Sequence, residues 1–331
     1  MVDDFNLDDY DEEIRQRPEL AETLAALTVS DSGSGRPPTT VFYGLSSLTS
    51  DEAAEVAPVW ASLSAAHRRR VMRGLVETGE ADIEMDYRSI GLLALDDPDP
   101  VVRETAIEVL WEDESLELMS RLVTLARHDE VREVRAAAVS ALGRFILAGE
   151  LEDIEQKLTL PAQEAALHLL TSPEEDVIVV RRALEAISNC GHAIVPQAIE
   201  QAYHNADRLM RVSAVFAMGR SCDSRWADIV LEEIESPDPE MRYEAARAAG
   251  QLELKTAVPK LAQLVLDDDR EVLLAAVGAL GEIGGKKAMR VLEHLLERAE
   301  ELEDEDLIMA VEDAIGNAAL MSGDFGAWVD L

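Results

Sequence analysis

The sequence predicts an all-α fold, an α-solenoid in which helix–turn–helix units stack into a superhelix. Two stretches introduce it, "PDPVVRETAIEVL" at 98–110 and "PDPEMRYEAARAAG" at 237–250, which repeat one pattern 139 residues apart. With Arg103 as position zero, equivalent positions fall at Arg103, Arg135, Val180, Arg211, Arg242, Leu273 and Ile308, in steps of 32, 45, 31, 31, 31 and 35 residues. Composition agrees with this reading. Apolar residues make up 47 % of the chain and aromatics only 4 %, so the core is built from Ala, Leu, Val and Ile, which suit close helix packing.

The elements of each unit follow from the frame. Four residues before zero stands Asp99, Asp176, Asp207, Asp238, Asp269 or Asp304, a good N-cap because its carboxylate accepts orphan backbone N–H groups. Pro100 and Pro239 come next, where a missing N–H costs nothing. Alanine three residues after zero (Ala106, Ala138, Ala183, Ala214, Ala245, Ala276) lets a neighbouring helix come close. Glycine eight after zero (Gly143, Gly219, Gly250, Gly281, Gly316) is expected to take the left-handed turn that ends the helix. Second helices follow at 193–205, 225–236, 256–269 and 287–301, with apolar residues at three- and four-residue spacing, as in Val258, Leu261, Leu264 and Val265. The step of 45 is expected to hold an insertion near "EDIEQKLTLPAQEAAL". No unit can bury its apolar face alone, so the units must stack.

The Asp-x-x-x-Arg-x-x-Ala frame, the glycine after it and the Val-Pro opening of second helices resemble HEAT repeats. More specifically, they are similar to the short HEAT-like repeats first described in phycobilisome lyases. The resemblance covers about 96–320. It implies that the arginine bonds to loop carboxylates and ties neighbouring units, a role that passes to Arg103, Arg135, Arg211 and Arg242 and not to Val180, Leu273 or Ile308. Asp99 and Asp238 belong to the same structural set.

Outside the clear repeats, residues 1–29 read as an acidic N-terminal arm with a short helical pattern near Ile14–Leu27. Residues 30–40, with "SDSGSGRPP", read as a linker. Residues 41–95 read as a degenerate helical cap, 96–323 as seven repeats, and 324–331 as a tail that folds over the last unit.

Acids outnumber bases 67 to 30, for a net charge of −37. Such a surface repels phosphate backbones and anionic lipid, so nucleic acid and membrane are not expected partners. A basic protein or an extended basic segment is. The acidic start lacks the pattern of a signal peptide, no window approaches 18 uncharged apolar residues, and two cysteines make no disulfide framework, so a cytoplasmic protein is expected.

No motif for catalysis or a cofactor emerges. Deoxyhypusine hydroxylase, built from similar repeats, holds two irons through His-Glu pairs. Here His67, His128, His168, His192, His204 and His294 are followed by Arg, Asp, Leu, Ala, Asn and Leu. "GEIGGKKAM" at 281–289 lacks the first glycine and the hydroxyl residue of a Walker loop. Cys190, His192 and Cys222 fall in turns of adjacent units, where a metal site would still need further ligands. The basic run "AHRRRVMRG" at 66–74 reads as a solvated helix face.

The expected function is therefore a non-enzymatic scaffold, with the polar positions of the stacked second helices forming a concave surface for a protein. Candidate contacts are Gln197, Gln201, His204, Trp226, Glu233, Lys260, Gln263, Arg290 and His294, with Trp226 and His204 foremost because aromatic anchors dominate interface energies. The phycobilisome-lyase resemblance implies an alternative: a lyase- or chaperone-like factor handling a tetrapyrrole or its acceptor protein.

Overall fold

A computed structural model describes residues 17–322 and divides the chain into two compact units, 1–145 and 146–331. Helices account for the regular structure, and no strand occurs among the described residues.

The first unit contains α1 (Leu20–Ser30), α2 (Thr39–Leu45), α3 (Ser50–Ser62), α4 (Ala65–Ala81), α5 (Arg88–Ala94), α6 (Pro100–Val109) and α7 (Leu116–His128). Helices α2, α4 and α6 pack in succession as one layer, and α1, α3 and α5 as the other. The unit boundary falls within α8 (Arg132–Glu150). In the second unit follow α9 (Gln156–Thr171), α10 (Val177–Ile187), α11 (Val195–Tyr203), α12 (Arg208–Arg220), α13 (Ala227–Glu233), α14 (Pro239–Gln251), α15 (Val258–Leu264), α16 (Arg270–Ile283), α17 (Gly285–Glu301) and α18 (Glu305–Ser322). Here α10, α12, α14, α16 and α18 form one layer, while their partners α11, α13, α15 and α17 form the second. This is the α-solenoid that the repeat predicts.

The frame sets the helix starts. All seven framed helices begin three residues before position zero, at Pro100, Arg132, Val177, Arg208, Pro239, Arg270 and Glu305. Asp99, Asp176, Asp207, Asp238 and Asp269 each accept a first-turn backbone N–H, and Asp304 accepts that of Leu307 at 3.1 Å. Each such cap stabilises its helix by about 1 kcal/mol.

The glycines do something other than end helices. Gly219, Gly250 and Gly281 lie inside α12, α14 and α16, buried where the next helix of the same layer arrives. A Cβ on Gly219 would stand 2.7 Å from Ala248 Cα, one on Gly250 2.9 Å from Ala279 Cα, and one on Gly281 2.9 Å from the Ala314 carbonyl oxygen. The left-handed turn comes three residues later, at Cys222 (φ 51°), Glu253 (φ 50°) and Gly284 (φ 59°). Thus glycine is placed for close backbone approach, and two of the three left-handed posts carry a side chain that must tolerate the strain.

Other boundaries also shift. The step of 45 is taken up by long helices, 19 residues in α8 and 16 in α9, and most of the stretch expected to hold the insertion lies in α9. The end of the expected arm is α1, which buries Thr23 and Leu27 against the cap, so only 31–38 connects α1 to α2. Residues 1–16 and the tail at 324–331 lie outside the described residues.

Candidate functional site

The repeat arginines form the internal scaffold on which any surface is carried. Arg103, Arg135, Arg211 and Arg242 each donate from Nη1 to the backbone carbonyl six residues earlier, at Asp97, Asp129, Asn205 and Ser236, over 2.8–3.0 Å. Two of them also reach the next repeat. Arg103 binds both Asp129 carboxylate oxygens at 2.8 Å, and Arg242 binds both of Asp267 at 2.8 Å. The fork of a guanidinium matches a carboxylate at both oxygens, which ties neighbouring repeats within each unit. Where position zero is Leu273, Arg270 supplies the tie, gripping Asp304 at 2.6 and 2.8 Å. Arg208 does the same to Asp238 and holds that carboxyl below its usual range.

The basic run at 66–74 differs from its sequence reading. Arg68 is buried, with Nε 2.8 Å and Nη2 3.0 Å from the Asp97 carboxylate. Asp97 also accepts the Trp60 indole N–H at 2.9 Å and the Asp99 N–H at 2.9 Å. Arg69 pairs with Asp99. His67 is buried too. Its Nδ1 faces an Arg70 donor at 3.1 Å, so the ring is neutral and Nε2–H donates to the Leu27 carbonyl at 3.0 Å. Burial holds its pKa below the ordinary value. The run is thus a clamp that joins α1, α4 and the first clear repeat. The acceptors Asp97, Asp129 and Asp267 escaped the sequence reading, although all three stand six residues before a position zero.

The proposed contact residues of the second helices have mixed fates. Gln197 and Gln201, exposed on α11, line a groove of about 420 Å³ with Leu170 at the end of α9, Pro173 after it and Ile194 before α11. His204 is exposed at the end of α11, its ring 5.3 Å from that of Tyr203. Glu233 accepts the Tyr203 hydroxyl at 2.6 Å and so holds its neighbour in place. Gln263, Arg290 and His294 are exposed on α15 and α17. Lys260 is partly covered and paired with Glu235. Trp226 is a correction: it is only 5 % exposed, packed at the start of α13, and cannot serve as a surface anchor.

Cys190, His192 and Cys222 do not converge in a shared set of contacts. The Cys190 thiol is buried against Gln163, and burial pushes its pKa up. Cys222 is exposed, with Sγ near the Arg220 carbonyl, and His192 Nδ1 accepts the Ile194 N–H. Among the described residues no three His, Cys, Asp or Glu side chains are grouped to hold a metal ion.

Two further depressions were not visible in the sequence. One, about 280 Å³, lies between α14 and α16, where Arg247 sits 5.6 Å from the Tyr243 ring and 5.9 Å from that of Phe216. Beside Arg247 at 3.5 Å is Glu244, whose carboxyl burial pushes up to about 7. The other is a larger groove of about 810 Å³ in the first unit, bordered by an exposed Trp111. The signal for it was a single tryptophan set among acids in "WEDESLE".

Comparison with known proteins agrees with the fold. A family model described as HEAT repeats matches residues 91–171 and 227–316, more than half of the chain, and the chain belongs to that family. No curated protein matches it. Among solved structures, Escherichia coli YibA is 18 % identical, with 86 % of this chain and 98 % of that one covered, at a TM-score of 0.45. Human deoxyhypusine hydroxylase in complex with glycerol is 17 % identical over 81 % of this chain and 96 % of that one, at a TM-score of 0.35. Kap95p bound to RanGDP is 14 % identical over 90 % of this chain and 45 % of that one, at a TM-score of 0.47. No described helix is long and apolar enough to cross a membrane.

Proposed function

Taking membership of the HEAT-repeat family as the premise, we propose that the protein is a non-enzymatic scaffold of the cytoplasm that binds a basic or extended protein segment. The regular 31-residue steps support repeats of the short, phycobilisome-lyase-like kind. The observation that carries the reading is the groove between α9 and α11. It presents the exposed amides of Gln197 and Gln201 beside apolar walls, on a chain of net charge −37. Amides there can pair with the backbone of an extended segment, and the surrounding field draws a cationic one. Candidate contacts continue at His204, Gln263, Arg290 and His294. The missing His-Glu pairs argue against the di-iron chemistry of deoxyhypusine hydroxylase.

The test is capture. The full chain is immobilised, lysate of its source is passed over it, and bound material is eluted in salt steps. A stoichiometric basic protein, released by moderate salt and lost from the Gln197→Ala/Gln201→Ala and His204→Ala variants, supports the reading. A coloured eluate in its place would overturn it in favour of tetrapyrrole handling.

A further inference from the structure

The large groove of the first unit has a construction of its own. Its walls are the last turns of α4 and α6 and the segments that follow them. Neither helix carries a basic residue in its last turn. At the end of α6 the half-buried Arg144 donates to the Leu110 and Asp113 carbonyls at 2.9 and 3.1 Å, so the negative dipole end left to the groove is that of α4. Seven carboxylates line it, and its one cation, Arg88, is already spent on Asp113 and Glu117, at 3.0 and 2.8 Å. The remaining six, Glu80, Glu84, Asp86, Glu108, Glu112 and Glu114, are exposed and make no ion pair among the described residues.

Between these acids lies apolar surface that a soluble fold does not need. Trp111 is 61 % exposed and Ile83 86 % exposed, and both border the groove. Tyr87, which also lines the groove, is 5 % exposed.

We infer that this groove is a second binding site, which takes a short extended segment with Arg or Lys on either side of an apolar side chain. The apolar side chain packs on Trp111 and Ile83, and the flanking cations meet the unpaired carboxylates and the indole face. The chain's own undescribed ends do not carry that chemistry. Residues 1–16 hold seven acids and one arginine, and 324–331 hold two acids and no cation. A second copy, at −37, is repelled in the same way. The inference rests on the scaffold reading for the class of partner but not for the location.

The probe is the acetylated, amidated hexapeptide Arg-Arg-Leu-Leu-Arg-Arg, titrated into the full chain by calorimetry. The expected result is saturable binding that steepens at low salt and weakens about tenfold or more in Trp111→Ala. A similar loss is expected for the triple variant Glu80→Gln/Glu84→Gln/Glu112→Gln and for a peptide with serine in place of leucine. These side chains are exposed, and far-ultraviolet circular dichroism checks that each variant is folded. Gln197→Ala/Gln201→Ala should bind the peptide as the parent does. Unchanged affinity in Trp111→Ala and in the charge variant overturns the inference. Should the peptide instead be lost from Gln197→Ala/Gln201→Ala, the inference fails while the scaffold reading stands. If neither peptide nor lysate protein binds, both fail.

Discussion

One junction is built twice in this protein, at Arg68–Asp97 in the first unit and at Arg242–Asp267 in the second, and the two differ in their surroundings. The side chains of the first pair are 7 % and 2 % exposed, and those of the second 18 % and 10 %. Asp97 is further held by the Trp60 indole, whereas Asp267 has Arg242 and the Asp269 N–H. A guanidinium–carboxylate pair therefore serves as a buried polar core in the cap and as a slightly more exposed staple in the regular repeats. Burial, and not the bond itself, should decide what each is worth.

The largest expected effect tests this directly. Arg68→Ala leaves a buried carboxylate without its cation and should destabilise the first unit by about 3–5 kcal/mol. Arg242→Ala should cost distinctly less, and the loss should shrink with added salt, because water reaches Asp267. Urea melts of both variants at low and high salt are the measurement. Equal losses would mean that burial is not the governing variable.

The next contrast uses glycine. In the second unit Gly250 faces the Ala279 backbone, while in the first Gly91 faces the flexible end of Leu110, at 2.8 Å from an added Cβ. A backbone cannot step aside and a leucine can turn. Gly250→Ala should therefore cost about 1–3 kcal/mol, and Gly91→Ala should cost less. Thermal unfolding of the pair decides it, and a larger loss at Gly91 would reverse the argument.

The smallest effect sharpens the comparison by sign. His67 has its pKa lowered by burial, so the unfolded chain binds the proton more readily. The first unit should lose stability as pH falls below about 6.5. Glu244 is raised to about 7 by burial, so its folded form holds the proton more readily. The second unit should gain stability as pH falls from about 7 towards 4.5. Melts between these limits should show the two slopes, with His67→Gln removing one and Glu244→Gln the other.

Much of the fold was legible because helix starts obey local chemistry. The Asp caps mark six of the seven framed helix starts to the residue, and the repeat frame alone marks the seventh, at Arg132. The glycines were legible as positions but not as roles, because a helix stop and a close helix contact both call for glycine in sequence, and only the packing of Ala279 against Gly250 separates them. Trp226 misled for a related reason: an aromatic in a polar stretch looks exposed until its neighbours close over it. Trp111 was overlooked because its exposure arises from two helix ends that the sequence does not show side by side. Arg68 read as solvent-facing within a basic run, since its partner Asp97 is 29 residues away.

The ties between repeats have a sense of direction. Arginines of the framed helices reach forward, as Arg208 does to Asp238. Cations of the second helices reach back, as Lys260 does to Glu235 and Arg121 to Asp96. The junction between α12 and α14 is thus laced on both layers, in opposite senses, and behaves like a hinge with a strap on each side. Opening it toward either layer stretches one strap while the other stays slack. Of the two, the Arg208 fork resists more, since it grips at two oxygens. Bending there should be easier in one direction than in the other, and softer in high salt, which gives a stack of rigid helices a preferred way to flex.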